Sequence, residues 1–464
     1  MHIRTSLAVL VALGLGCPSL ARAETLEDAL IAAYIANPAL QAQRAQTRAV
    51  DENVPQALAN WRPTVKINAD AGVVQTLSND IVPPAPKLQT SYNERDASLQ
   101  VSEPLYRGGR TDAQTDQAEA QVKAAEYQLK ATEQTVFIGV ITAYLDIIQN
   151  QALVDLNVNN QQVLQRELSA TNDRFRVGEV TRTDTSQAQA AVAGAEAEVR
   201  QARATLRDSI ATFGRLTGHR PSGLEAVTPA TDLPISLAEV SAAAEAANPN
   251  VLAQRYTYEA AQHGVDLAFG ALLPTVSLQG SFGGTDNELG QKLYARTGSA
   301  ELNVSIPIYQ EGAEYSTIRQ QKHTAGQQKL QLDEVRRETV EMATQNWENW
   351  QSARARVVSF EEQVRASTVA LEGIQREYLV GARTILDVLN TEQNLLSARV
   401  SLEEARHDVA VMSFQVKSSM GQLTAEAMRL RTPVYDPKKN YNDVRDTWYG
   451  TGVTPDYESG GATK

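Results

Sequence analysis

Ser102-Glu103-Pro104-Leu105-Tyr106-Arg107-Gly108-Gly109-Arg110 is the stretch at which this chain changes its hydrophobic period. Before it, Ala97, Leu99 and Val101 alternate with Ser98, Gln100 and Ser102. After it, from about Arg110 to Val177, the chain has neither proline nor a glycine pair, and apolar residues recur every three and four positions. Alternation by two marks a strand with one apolar face, and the three-four pattern marks a helix. The change recurs at Ser305-Ile306-Pro307-Ile308-Tyr309, which closes the alternating series Ala300, Leu302, Val304 and Ile306. A second uninterrupted run then goes from about Glu314 to Val380. At 1.5 Å per residue each run would extend ~100 Å, far beyond an ordinary globular helix.

Outward from these two points the chain is written twice. Asn37-Pro38 and Asn248-Pro249 stand 211 residues apart, as do Thr25-Leu26 and Ser236-Leu237, and Pro63-Thr64-Val65 and Pro274-Thr275-Val276. After an eight-residue contraction the offset becomes 203, relating Pro104 to Pro307, Val177-Gly178 to Val380-Gly381, Asp184 to Asp387 and Gly218 to Gly421. Such punctuation marks a tandem duplication of one structural unit. We place the copies at residues 24–219 and 236–423, with a proline-bearing linker at 220–235 and a tail at 424–464. Residues Met1–Ala23 read as a signal peptide, with Arg4, the apolar Leu7–Gly16 and Ala21-Arg22-Ala23 before the cut. Cys17 goes with it, so the mature chain has no thiol chemistry. Loss of Arg4 and Arg22 takes the 43 basic residues to 41 against 55 acidic ones, a net charge of −14. An acidic exported chain argues against nucleic acid as a partner.

Each copy opens with a short helix capped by Thr25 or Ser236 and broken at its Asn-Pro pair, then a second helix to about Asn60 or Gly270. Two strands of about ten residues follow, one series being Val65, Ile67, Ala69 and Ala71, its twin Val276, Leu278 and Phe282. Their length and one-sided polarity suit a bilayer. In the first long helix, Phe137, Ile141, Tyr144 and Ile148 form one seam, and Val136, Val140, Ala143 and Ile147 a second beside it. Two adjacent seams predict two packing partners, as in a closed cylinder of helices. The returning helices carry heptads: Val388, Thr391, Leu395, Ala398, Leu402, Ala405, Val409, Met412 and Val416, with Thr185 to Phe213 in the same register. A returning helix of about 37 residues is too short for its partner, and Ala39–Asn60 stacked end to end would make up most of the difference. Between them lie tight turns with Gly178 and Gly381, which we read as the extreme tips.

No phosphate loop, zinc motif or nucleophile elbow is present. Glu404-x-x-His407 has a di-iron spacing, but its twin lacks it, so no cofactor, metal site or catalysis is expected.

The strand-to-helix stretches SEPLYRGGR and SIPIYQEGAE resemble those of the TolC family of outer-membrane efflux proteins. The same is true of the tips RFRVGEVTRTDTSQAQA and EYLVGARTILDVLNTEQNLLSAR. The resemblance implies a homotrimer, each subunit giving four strands to one 12-stranded β-barrel above a long α-helical coiled-coil barrel in the periplasm. It implies a passive exit duct in the outer membrane, for proteins or small toxic compounds in type I secretion or efflux. Its partners would be a periplasmic adaptor and an inner-membrane ABC or proton-driven transporter. It assigns a periplasmic gate to Tyr378 and Arg383, bonded across to Thr183 and Asp184, with an acidic ring at Asp387. Asn390 stands where the best-known member of the family has a second acid, which would weaken that ring. Gly178 and Gly381 would contact the adaptor. The competing reading of the pattern is a periplasmic coiled-coil scaffold or adaptor-like protein without a pore.

Overall fold

In the computed structural model, which describes residues 23–78, 88–286 and 294–453, the chain forms ten α-helices and one four-stranded sheet. The first copy contains α1 (Leu26–Ala36), α2 (Pro38–Asp51), α3 (Asn53–Leu58), β1 (Thr64–Ser78), β2 (Leu88–Tyr106), α4 (Arg110–Arg176) and α5 (Arg182–Thr217). The second contains α6 (Leu237–Ala247), α7 (Pro249–Phe269), β3 (Thr275–Asp286), β4 (Tyr294–Ser305), α8 (Ala313–Leu379) and α9 (Ile385–Ser419), and α10 (Pro437–Val444) lies in the tail. The strands are longer than the ten residues expected, 15 and 19 in the first copy and 12 in each of the second. The surplus extends past the length a bilayer needs. The copies also differ at Pro55, which cannot donate a helical hydrogen bond and breaks the first copy's second helix at Asp51. Asp266 stands at the matching place, and α7 runs through unbroken.

Both outgoing helices, α4 and α8, are 67 residues long, and the returning α5 and α9 are 36 and 35. The remaining length is covered by α2–α3 over α5 and α7 over α9, and one asparagine makes each splice. The Asn37 carboxamide oxygen accepts from the Ala39 and Leu40 N–H groups, capping α2, while its nitrogen donates to the Leu216 carbonyl at 3.0 Å, in the last turn of α5. Asn248 repeats this, accepting from Asn250 N–H and donating to the Ser419 carbonyl at 2.9 Å. Two broken helices are thereby joined into the length of one. Gly421, with φ +77°, turns the chain off the end of α9 so close to α6 that an added Cβ would collide with the Ala247 carbonyl.

The equatorial core gathers at these splices. Phe137, Val140, Ile141 and Tyr144 of α4 pack with Leu30 and Ala33 of α1, Phe213 of α5, and Val411 and Phe414 of α9. Both predicted seams of α4 are thus occupied, and its apolar middle, which by length and composition could cross a bilayer, is instead packed against other helices. Leu423, at the end of the second copy, and Ala425 and Leu430 of the tail close this core, and the tail then follows α2. Arg44 is buried with its guanidinium against the rings of Tyr34 (4.3 Å) and Tyr435 (5.1 Å). Asn440 of α10 donates to the wholly buried Asp51 at 2.8 Å, and burial pushes that carboxyl up to about 6.

A polar clasp crosses the hairpins. His407 of α9 bonds through Nε2 to Asp146 of α4 at 2.9 Å and through Nδ1 to Asp408 at 3.4 Å, while Asp408 accepts from Arg356 of α8 at 2.8 Å. Glu404 lies exposed and takes no part. Burial alone would lower the imidazole pKa, but the two carboxylates outweigh it and raise it above its ordinary value of 6.5.

Asn37→Ala should lower stability by about 2 kcal/mol, through a lost cap and a buried carbonyl left without its donor. Asn37→Asp keeps the capping oxygens but cannot donate, and should rescue none of the splice. Thermal melts in detergent check this, and a wild-type melting point for Asn37→Asp would show that the splice contributes nothing. The His407 clasp contributes about 1 kcal/mol. That contribution is fully present below pH 6.5 and is lost as pH rises through the higher folded value. His407→Gln should remove this slope from melts taken across pH 5.5 to 8.5 (roughly, the imidazole range).

Candidate functional site: the hairpin tips and the open sheet

The two tips are built alike. At the end of α4, Gly178 and Glu179 donate back to the Phe175 and Arg174 carbonyls, and at the end of α8, Gly381 and Ala382 donate to Tyr378 and Glu377. Both glycines take positive φ (+81° and +76°), and nothing lies within 4 Å of where a Cβ would stand. They are therefore required by the turn and exposed at its apex. Each returning helix then starts in a reciprocal cap. Thr181 and Thr384 accept from the N–H of Asp184 and Asp387, whose carboxylates accept from the threonine N–H and hydroxyl at 2.8 to 3.0 Å. The Thr-x-x-Asp spacing is a readable capping-box signal that motif reasoning at the tip passed over.

The gate residues expected from the sequence all lie at this end, but within one chain they find other partners. Arg383 donates from Nε to Glu377 at 2.8 Å, inside its own hairpin. Tyr378 reaches the other hairpin at Arg174, whose guanidinium lies 4.6 Å above its ring, rather than at Thr183 or Asp184. Asp184 is taken up by Thr181, and Thr183 is exposed. The Thr384 N–H and hydroxyl hold the Asp387 carboxyl below its usual range, so repulsion within an acidic ring would act against that stabilisation. Asn390 is exposed about one turn further along α9. Beneath the tips, Leu164 of α4, Val192 and Ala195 of α5, and Ile385, Val388 and Leu389 of α9 lock the hairpins together. Above that lock a groove of about 690 Å³ runs between α4, α5 and α9, lined by Asn157, Glu198, Gln201, Gln393 and Ser401 among others.

At the opposite end the sheet has the antiparallel order β1-β2-β3-β4, so strands from the two copies meet at β2 and β3. The registers align apolar residues into rows across all four strands: Val65, Val101, Gly280 and Ala300 in one, and Ile67, Leu99, Phe282 and Gly298 in the next. Between them runs a polar row on the other face, Lys66, Gln100, Ser281 and Ser299. Among the described residues the apolar rows are open: Ile67 is 79 % exposed and Phe282 61 %. A broad bare apolar face with a polar reverse is the signature of a strand set that meets lipid on one side and water on the other. β1 and β4 each keep one edge without a partner among the described residues. Nor do those residues contain a cluster of three or more metal-ligating side chains.

This architecture has close counterparts. The chain is 33 % identical over 437 residues to the outer membrane efflux protein BepC of Brucella suis, covering 94 % of this chain and 93 % of that protein. It is 26 % identical over 436 residues to the outer membrane protein TolC of Escherichia coli, covering 90 % and 87 % respectively. Its fold superposes on the Campylobacter jejuni CmeC outer membrane channel with a TM-score of 0.76 at 16 % identity, over 91 % of this chain and 89 % of that one. The outer membrane efflux protein family matches residues 30–219 and 240–422. The chain belongs to the outer membrane efflux protein family and is an outer-membrane efflux or secretion channel with a large periplasmic helical portion.

Proposed function

We propose that three copies close into one tube, the passive exit duct of a tripartite export system. The observation that carries this reading is the open sheet with its bare edges. Four strands cannot close a barrel, and eight would leave an interior filled by side chains. Three copies bring β1 of each against β4 of the next, closing a 12-stranded barrel with no free edge. Energy then comes from an inner-membrane ABC or proton-driven transporter, and a periplasmic adaptor docks on the exposed tips at Gly178 and Gly381. At the constriction Asp387 supplies the acidic ring, with Asn390 neutral beside it. Bonds from Arg383 and Tyr378 toward Thr183 and Asp184 hold the closed state, exchanging with the Glu377, Arg174 and Thr181 partners described above.

Extraction from outer membranes should yield a detergent-dependent, heat-modifiable trimer, and a soluble periplasmic monomer would end the channel reading. In planar bilayers, Asp184→Ala with Arg383→Ser should raise single-channel conductance severalfold. Asp184→Asn with Arg383→Ser keeps most of the helix cap, so a rise there too separates gating from fraying of α5. Unchanged conductance in both would mean that these residues only cap the turns. Asp387→Ala should separately weaken cation preference, read as a shift in reversal potential under a salt gradient. Gly381→Trp should impair export while leaving the trimer intact, since a bulky side chain at the apex would keep a partner from approaching the backbone. Normal export by that variant would put the docking site elsewhere on the tube.

A further inference from the structure

The tail climbs the outside of α2 and α3 in a fixed order. Tyr435 N–H donates to the Tyr34 hydroxyl, Asn440 to Asp51, and Arg62 donates to the Thr447 carbonyl at 2.6 Å. On α4 the same segment meets Glu119, through Tyr441 and Arg445, nearer that helix's start. Each step brings the chain closer to the sheet, and the last contact is two residues before β1 begins. There the Arg62 guanidinium lies 4.8 Å from the Trp448 ring.

The chemistry of the tail changes at that point. Residues 436–446 carry six charged side chains, Asp436, Lys438, Lys439, Asp443, Arg445 and Asp446, and residues 447–455 carry none. Trp448 is 66 % exposed and Tyr449 92 %. Val65, the first apolar side chain of that face on β1, follows Arg62 by three residues, a rise of ~10 Å along the strand and ~7 Å of depth at a tilt of ~45°. The headgroup layer flanking the hydrocarbon core is several ångströms deep on each side, so Trp448 and Tyr449 stand at its level. An indole and a phenol, each with an apolar body and a polar edge, are the side chains that layer favours.

We propose that Trp448 to Val453 form an interfacial anchor, seated among phospholipid headgroups of the periplasmic leaflet and tying the helical tube to the membrane from outside the barrel. The charged stretch before it stays in water and is held by Asp51, Glu119 and Arg62. The occupant is lipid rather than a second copy, because the segment is continuous with the lipid-facing foot of β1 through Arg62.

The sequence has one cysteine, Cys17, in the segment read as the signal peptide, so a single nitroxide can be placed cleanly on the processed chain. Tyr449→Cys and, as a control, Lys439→Cys would be labelled in the full protein reconstituted in phosphatidylcholine–phosphatidylglycerol vesicles. Power-saturation measurements should find the label at 449 more accessible to oxygen than to a water-soluble nickel chelate, and the label at 439 the reverse. Equal nickel access at both sites would overturn the proposal. A label at 449 shielded from both reagents would also overturn it, because a neighbouring copy would then be the cover. Trp448→Ser with Tyr449→Ser should leave channel conductance unchanged but make trypsin cut at Arg445 severalfold faster in vesicles, whereas an unchanged cleavage rate would count against anchoring.

Discussion

A helix of 67 residues must be covered along its whole length, and the helix that returns along it is only about half as long. Everything else in the structure follows from how that mismatch is resolved. Two separate helices must stand end to end, and helix ends are where four carbonyls and four N–H groups go without partners. The Asn-Pro pair answers both needs. Proline at the first helical position gives up an N–H that would have had no partner, and the asparagine side chain caps one helix while donating to a carbonyl of the next. Because the duplication repeats the device with Asn248, both hairpins have the same reach, and both tips arrive at the same end.

The sheet imposes the complementary constraint at the other end. Its apolar rows are in register across strands from both copies, so neither copy by itself has a complete lipid-facing surface. A one-residue slip at the β2–β3 seam would set Ser281 opposite Leu99, where Phe282 now stands. The duplication therefore constrains the seam between copies as tightly as it does each hairpin. The edges left open among the described residues are those that the proposed closure into a tube would pair.

At the tips the single chain satisfies its own polar groups. Thr181 and Thr384 hold the two aspartates, Glu377 holds Arg383, and Arg174 covers Tyr378. The proposed gate would therefore work by exchange of partners, since Asp184, Asp387, Arg383 and Tyr378 are each already engaged. The apolar lock of Leu164, Val192 and Val388 lies just beneath, so movement at the tips has a fixed floor to pivot on. The tail acts similarly at the equator, where buried Arg44, Asp51 and Glu133 are each engaged by residues that follow the second copy or pack beside them.

The sequence by itself determined the periodic parts. Alternation defined the strands, the three-four pattern the long helices, and the twin glycines the turns, because each depends on a repeat distance set by backbone geometry. The heptad of α9 points inward at Val388, Leu395, Ala398, Leu402, Ala405 and Val416, while Thr391, Val409 and Met412 are only half-buried. What the tertiary structure alone decided are the contacts between residues hundreds of positions apart: Asn37 with Leu216, Asp146 with His407, Asn440 with Asp51 and Arg62 with Trp448. These carry no period and no local spacing, so a lone histidine or asparagine reads alike whether it is solvated or buried. Their partners are chosen only when helices of matched length lie side by side and a desolvated polar group must take whatever donor or acceptor that packing brings within reach.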